Sequence, residues 1–200
     1  MILIVDNNSL FPHSLVESAA QAAEEVRVLR AAAAAVPEIA ALSPSGIILG
    51  PGLDKEEALK TNGRIVERFG GSTPMLGIGL GMHAIVAASG GKQSPSERLA
   101  VGCRVPVVHD QRGVFEGIPS PTSAGCFNSR VVEEASLPRQ LLISAHTLEG
   151  EIMAVRYRSG ALLEGLQFCP ESLLTVKGRD IIENFVEITQ AGKWLPAMES

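Results

Sequence analysis

Strands alternate with helices along the first half of the chain, and short β-rich segments fill the second. This pattern predicts an α/β fold: a doubly wound, mostly parallel sheet with helices on both faces and additional antiparallel strands in the C-terminal half. A third observation fixes the centre of the prediction. The stretch Pro74–Ile85 reads P-M-L-G-I-G-L-G-M-H-A-I. Its apolar run Met75–Ile78 breaks at alternating glycines, Gly77, Gly79 and Gly81, and resumes as a helix through Met82–Ala88. Such an elbow presents one residue above the carboxyl end of a sheet, against a helix N-terminus. In enzymes that residue is usually a nucleophile, with nearby N–H groups able to hold an oxyanion. Here the position is Gly79, so the scaffold for nucleophilic catalysis is present without an attacking atom.

The elements follow in order. Met1–Val5 is a continuous apolar strand, closed by Asp6-Asn7-Asn8-Ser9, and a helix is predicted over Ser14–Glu25. Val26–Leu29 is a second strand. Ala31–Ala35 leads to a short helix, Pro37–Leu42. Gly46–Leu49 is a third strand, closed by Gly50-Pro51-Gly52, and Ala58, Ile65, Val66 and Phe69 mark a helix over Lys55–Phe69. With the elbow strand, these four strands are expected to be parallel neighbours, Gly79 standing at the carboxyl edge. After Gly90-Gly91 come Val101–Val108, Ser129–Val132, Leu141–Ala145, Ile152–Tyr157 and Leu162–Phe168, separated by turn signals at Gly113, Pro119-Ser120-Pro121 and Glu149-Gly150. A last helix is predicted over Gly178–Ile188. No repeat or linker divides the chain, so residues 1–192 read as one domain and 193–200 as a tail.

Composition narrows the function. A net charge of −5 gives no support for nucleic acid or an anionic membrane as partner. Met1–Val5 stops at Asp6 without a basic flank, and no apolar run has the length of a membrane span. Cys103, Cys126 and Cys169 are odd in number and lack metal-ligand spacing, which favours reduced thiols in a cytoplasmic protein. His13, His109 and His146 show no metal spacing either, and neither a metal nor a cofactor is expected.

Several motifs in this order carry a resemblance: Asp6-Asn7 after the first strand, Gly50-Pro51-Gly52 after the third, the elbow, Gly150–Arg156, and Gln167-Phe168-Cys169-Pro170-Glu171-Ser172. Over Met1 to about Gly192 the chain resembles class I glutamine amidotransferases. The small subunits of anthranilate synthase and aminodeoxychorismate synthase are nearest in pattern. The resemblance implies the fold already predicted, a glutamine-hydrolysing ancestry, and a chorismate-utilising synthase large subunit as partner.

Position by position, it also implies a loss. The family elbow reads G-[VI]-C-L-G-H-Q with the cysteine as nucleophile, and Gly79 stands in its place, Met82-His83 replacing the H-Q pair. The late F-H-P-E-S motif supplies a histidine base and a glutamate that orients it; here Cys169 replaces the histidine and Glu171 remains. The S-P-G-P-G oxyanion loop keeps its first half in Gly50-Pro51-Gly52 and loses its second at Leu53-Asp54. The G-R-Y-H-S-L segment reads Gly125–Arg130. Thioester chemistry needs a thiolate and a base, and losing either removes most of the effect. The triad positions Gly79, Cys169 and Glu171 are therefore expected to be degenerate. Around them a vestigial pocket is expected, lined by Gly50, Pro51, Gly52, Leu80, Met82, His83, Phe127, Asn128 and Ser129.

The expected role is a pseudo-amidotransferase that binds and stabilises or regulates the synthase. Two alternatives stay open. Cys169 and His83 could form a reversed nucleophile–base pair in the old pocket, since His83 lies one helical turn beyond Gly79. The chain could also be a self-associating structural protein.

Overall fold

The computed structural model describes residues 1–9, 12–52, 56–159 and 162–192, leaving aside the side chains of residues 12 and 97–100. The expected Leu53-Asp54 half-loop and the tail 193–200 lie outside these residues.

Apolar alternation explains the central layer. In β1 (Ile2–Asn7), Ile2 and Ile4 join one buried cluster while Leu3 and Val5 join the other. The same split divides Ile48 from Ile47 and Leu49 in β3 (Gly46–Gly52), and Leu76 and Ile78 from Met75 in β4 (Met75–Ile78). A strand apolar at every position must be covered on both sides. One face is covered by α1 (Pro12–Ala22) and α5 (Gly178–Ala191), through Leu15, Ala19, Ile181, Ile182 and Phe185. On the other face lie α2 (Val36–Leu42), α3 (Glu56–Phe69) and α4 (Leu80–Ala88), through Ile39, Ile65, Phe69 and Ile85.

Nine strands form one sheet in the order β2-β1-β3-β4-β9-β8-β7-β5-β6. β2 (Val26–Arg30), β1, β3 and β4 are parallel neighbours, as expected from the sequence. β9 (Leu163–Leu166) extends the parallel block as the partner of β4. The remaining strands, β8 (Ile152–Tyr157), β7 (Leu141–Thr147), β5 (Gln93–His109) and β6 (Thr122–Val132), are antiparallel to their neighbours. Several elements differ from the sequence reading at their ends. β5 begins eight residues before Val101 and β6 seven before Ser129, because hairpin pairing between the two recruits the polar residues around them. α1 stops at Ala22, since the backbone N–H of Ile2 bonds the carbonyl of Glu25 at 2.9 Å and draws that residue into the approach to β2.

A buried ionic cluster joins the parallel and antiparallel blocks. Arg156 of β8 stands opposite Glu164 of β9, with Nε to Oε1 at 2.6 Å, and reaches Asp110 after β5 at 2.7 Å. Burial outweighs the guanidinium and raises the Glu164 carboxyl to about 6.

The elbow is held by close approach. A Cβ on Gly77 would come within 2.5 Å of the Gly81 carbonyl carbon, and one on Gly81 would overlap the Leu49 carbonyl oxygen. These two glycines let α4 lie directly on β3 and β4. Gly81→Ala is expected to lower stability by about 1–3 kcal/mol, typical of forced overpacking. Thermal unfolding measures it, and an unchanged midpoint would show that α4 can move off the sheet freely.

Candidate active site

Gly79 is the turn itself. Its φ of +52° and ψ of −107° put it in a region that side chains rarely adopt. Its N–H bonds the Leu166 carbonyl at 2.7 Å, and its carbonyl accepts the first helical bond from His83 N–H at 3.0 Å. There is space for a side chain: a Cβ here would meet Pro51 Cβ at 3.6 Å, an ordinary contact. Gly77 and Gly81 are thus fixed by packing, and Gly79 by backbone conformation.

The elbow opens into a cavity of about 200 Å³ at the carboxyl edge of β3 and β4. Pro51 and Gly52 form one lip, Leu80 and His83 of α4 the floor, Phe127, Asn128 and Ser129 of β6 another side, and Cys169 and Glu171 the far wall. All these positions were singled out in the sequence. The residues Asn8, Ser9, Arg130 and Gln167 also line the cavity. Gln167 and Arg130 stood inside the quoted motifs but were not singled out as lining the pocket; Asn8 and Ser9 were read only as the end of β1.

Two expected pocket residues lie elsewhere. Met82 is fully buried on the sheet-facing side of α4, where its side chain packs against Gly165 of β9. A helix turns about 100° per residue, so a residue next to His83 points well away from it. Gly50 is turned inward: its carbonyl accepts the Asn7 side-chain amide at 2.7 Å, and Asn62 donates to Asn7 Oδ1 at 2.9 Å. Its role is to pin the loop rather than line the cavity.

The polar groups of the cavity are poorly partnered. Neither carboxyl oxygen of Glu171 makes a hydrogen bond of good geometry, the Cys169 thiol and its own backbone N–H lying near it without completing one; His83 Nδ1 finds no partner, and the side-chain oxygens of Gln167 and Asn128 are likewise unmatched. Burial raises the Glu171 carboxyl to about 7. Burial, then the nearby Arg130 charge, depress His83 to about 4, so its imidazole is neutral at pH 7. Cys169 is pushed far above the usual thiol range, first by burial and then by the Glu171 charge. These directions are opposite to those of an activated cysteine, which needs a stabilised thiolate and a cationic neighbour. No hydrogen bond joins Cys169 Sγ to His83 among the described residues. Nor does any group of three or more His, Cys, Asp and Glu among them have the placement to hold a metal.

An elbow of this geometry at the carboxyl edge of a doubly wound sheet, facing a late Pro-Glu turn, is a scaffold of the kind on which α/β enzymes present a nucleophile. The family model for glutamine amidotransferase class-I matches residues 3–188, and the chain belongs to that family. It is 34% identical over 187 residues to the aminodeoxychorismate/anthranilate synthase component 2 of Bacillus subtilis, covering 94% of this chain and 96% of that one. It is 35% identical over 191 residues to the anthranilate synthase component 2 of Pseudomonas aeruginosa, covering 93% and 94%. A solved glutamine amidotransferase from Thermotoga maritima shares the fold at a TM-score of 0.77 and 14% identity, covering 94% of this chain and 96% of that one.

The raised Glu171 pKa has a consequence for stability. The folded carboxyl holds its proton to about 7 against 4.5 in the unfolded chain. Its contribution is present in full below 4.5 and lost as pH rises through 7, where ionising it costs about 3 kcal/mol. Glu171→Gln is therefore expected to raise the unfolding temperature relative to the parent by several degrees at pH 8 and scarcely at pH 4.5. Equal shifts at both pH values would place the carboxyl in contact with water.

Proposed function

We propose that this chain, as one amidotransferase-like unit of residues 1–192, is a catalytically degenerate subunit. It binds and stabilises or regulates a chorismate-utilising synthase subunit in the cytoplasm and does not hydrolyse glutamine. The observation that carries the reading is Gly79 at the elbow. Amide hydrolysis through an acyl-enzyme requires an atom that attacks the carbonyl and a base that takes up and returns a proton. Gly79 supplies no such atom, and the residue facing Glu171 is a thiol held protonated, not an imidazole. Supporting the partner are the names of the relatives, which are second components of anthranilate and aminodeoxychorismate synthases. The partner would then draw on free ammonia or on no nitrogen donor.

The second reading, a hydrolase using Cys169 and His83, is supported by the fact that both line one cavity. Against it stand the raised thiol, the neutral imidazole and the lack of a hydrogen bond between them. A third reading, self-association as a structural protein, predicts a stable homo-oligomer without a synthase.

Co-purification with a chorismate-utilising synthase, followed by assays with ammonia and with glutamine, separates the three. The expected result is a heteromeric complex active with ammonia and inactive with glutamine. Glutamine turnover abolished by Cys169→Ala and by His83→Ala would establish the hydrolase instead.

Restoring the family residues provides a graded test. Gly79→Cys has room beside Pro51 but takes on the strain of a positive φ, about 1–3 kcal/mol. The single variant is expected to be inert for want of a base. Gly79→Cys with Cys169→His regains nucleophile, base and orienting Glu171, yet keeps His83 and Leu53-Asp54 where the family has its glutamine and second half-loop. A missing oxyanion donor costs about 10²–10³-fold, so the double variant should turn over glutamine at least that far below an intact relative. Glutaminase rates measure this, and turnover in the single variant would mean that the base lies elsewhere.

A further inference from the structure

All three cysteines fall along one path from the exposed surface to the cavity, and the register of one hairpin brings two of them together. Along the β5–β6 ribbon, Val107 pairs with Thr122, Val105 with Ala124 and Cys103 with Cys126, in unbroken register. Beyond that point Val101 pairs with Phe127, so β5 carries one extra residue. The extra residue is Gly102, with a φ of +69°, the left-handed conformation of a glycine bulge. Side chains alternate between sheet faces, and one residue of slippage moves a side chain to the other face. The unbroken register running out from the hairpin turn sets Cys103 directly opposite Cys126 and on the same face, alongside Val105 and Ala124, and the bulge begins only beyond them. Cα atoms paired across antiparallel strands are about 4.5–5.5 Å apart. That range lies inside the roughly 4.4–6.8 Å that a disulfide spans.

We propose that Cys103 and Cys126 are a modification site: a dithiol that a peroxide oxidises to a reversible disulfide across the β5–β6 ribbon. Their accessibilities divide the chemistry. Cys103 is exposed and meets the oxidant; Cys126 is buried and serves as the resolving thiol. The Cys103 thiolate attacks one peroxide oxygen, the O–O bond breaks, and Cys103 becomes a sulfenic acid as hydroxide leaves. The Cys126 sulfur then attacks the sulfenic sulfur. The S–S bond forms as the S–O bond breaks, and the Cys126 proton leaves with the hydroxyl as water. Two thiols and one peroxide thus give one disulfide and two waters.

Electrostatics favour the product. Burial, then the neighbouring Cys103 and Glu151, push the Cys126 thiol up to about 12. A sulfur that resists ionisation loses nothing by becoming part of a neutral, apolar disulfide. The site also adjoins the cavity. Cys126 precedes Phe127 and Asn128 of its wall, and the Gly125 carbonyl accepts the Cys169 N–H at 3.0 Å.

The experiment is thiol counting and peptide mapping on the full chain. The reduced protein is exposed to hydrogen peroxide, its free thiols are titrated in denaturant, and non-reducing peptide masses locate any link. Two of the three thiols should be lost, with Cys103 joined to Cys126, and dithiothreitol should restore both. Cys169→Ser should retain the link, and Cys103→Ser and Cys126→Ser should each abolish it. The proposal is overturned if all three thiols survive excess peroxide, or if the link joins Cys126 to Cys169 or two chains through Cys103.

Discussion

The site depends on the close approach of α4 to the strands beneath it. With no side chain at Gly81 the helix axis descends until its first turn meets the carbonyl of Leu49, and with none at Gly77 the strand below leaves room for that turn. The elbow, the direction of α4 and the cavity at the sheet edge all follow from this approach. It aims the helix N-terminus, with its unmatched N–H groups and partial positive charge, at the place where the carboxyl ends of β3 and β4 diverge. A strand from late in the chain, β9, then packs beside β4 and brings Gln167, Cys169 and Glu171 to the same edge. A distant segment and a local turn become one site because both are referred to one sheet.

The cavity combines an unusual backbone turn with buried titratable groups. Gly79 keeps a backbone conformation that glycine adopts readily and other residues adopt at a cost. Glu171 keeps a carboxyl from which solvent and partners are both withheld, and His83 keeps an imidazole too buried to be charged at neutral pH. Unmatched buried polar groups usually mark either chemistry or a bound ligand, because folding alone would remove them. On the proposed reading, the partner surface is what has maintained this edge while the nucleophile was lost.

The two halves of the sheet are coupled by polar means as well as by packing. Arg156 and Glu164 are cross-strand neighbours at the junction of parallel and antiparallel pairing, and the Val114 N–H and Asp110 complete the cluster. A buried pair of this type adds little net stability, but a charge left alone there would be costly, so strand pairing in any other register is disfavoured. Beyond this junction β7 and β5 lead outward to β6, which carries one side of the cavity.

The sequence by itself determined the parallel core and its centre. The pocket that includes His83, Phe127, Cys169 and Glu171 was implied by the resemblance of the motifs to the family, while runs apolar at every position and the glycines of the elbow were enough to place β1 to β4 and the turn at Gly79. These are local signals, because side-chain alternation and turn chemistry act over a few residues. The tertiary structure alone decided the rest. Leu163–Leu166 reads like the other short β segments, and only pairing with Met75–Ile78 makes it the fifth parallel strand. Met82 reads as a neighbour of His83, and only the orientation of α4 on β9 turns it into the core. Cys103 and Cys126 stand on different strands, and only the register of the β5–β6 hairpin makes them face each other. Register is a property of two strands at once, and neither strand carries it alone.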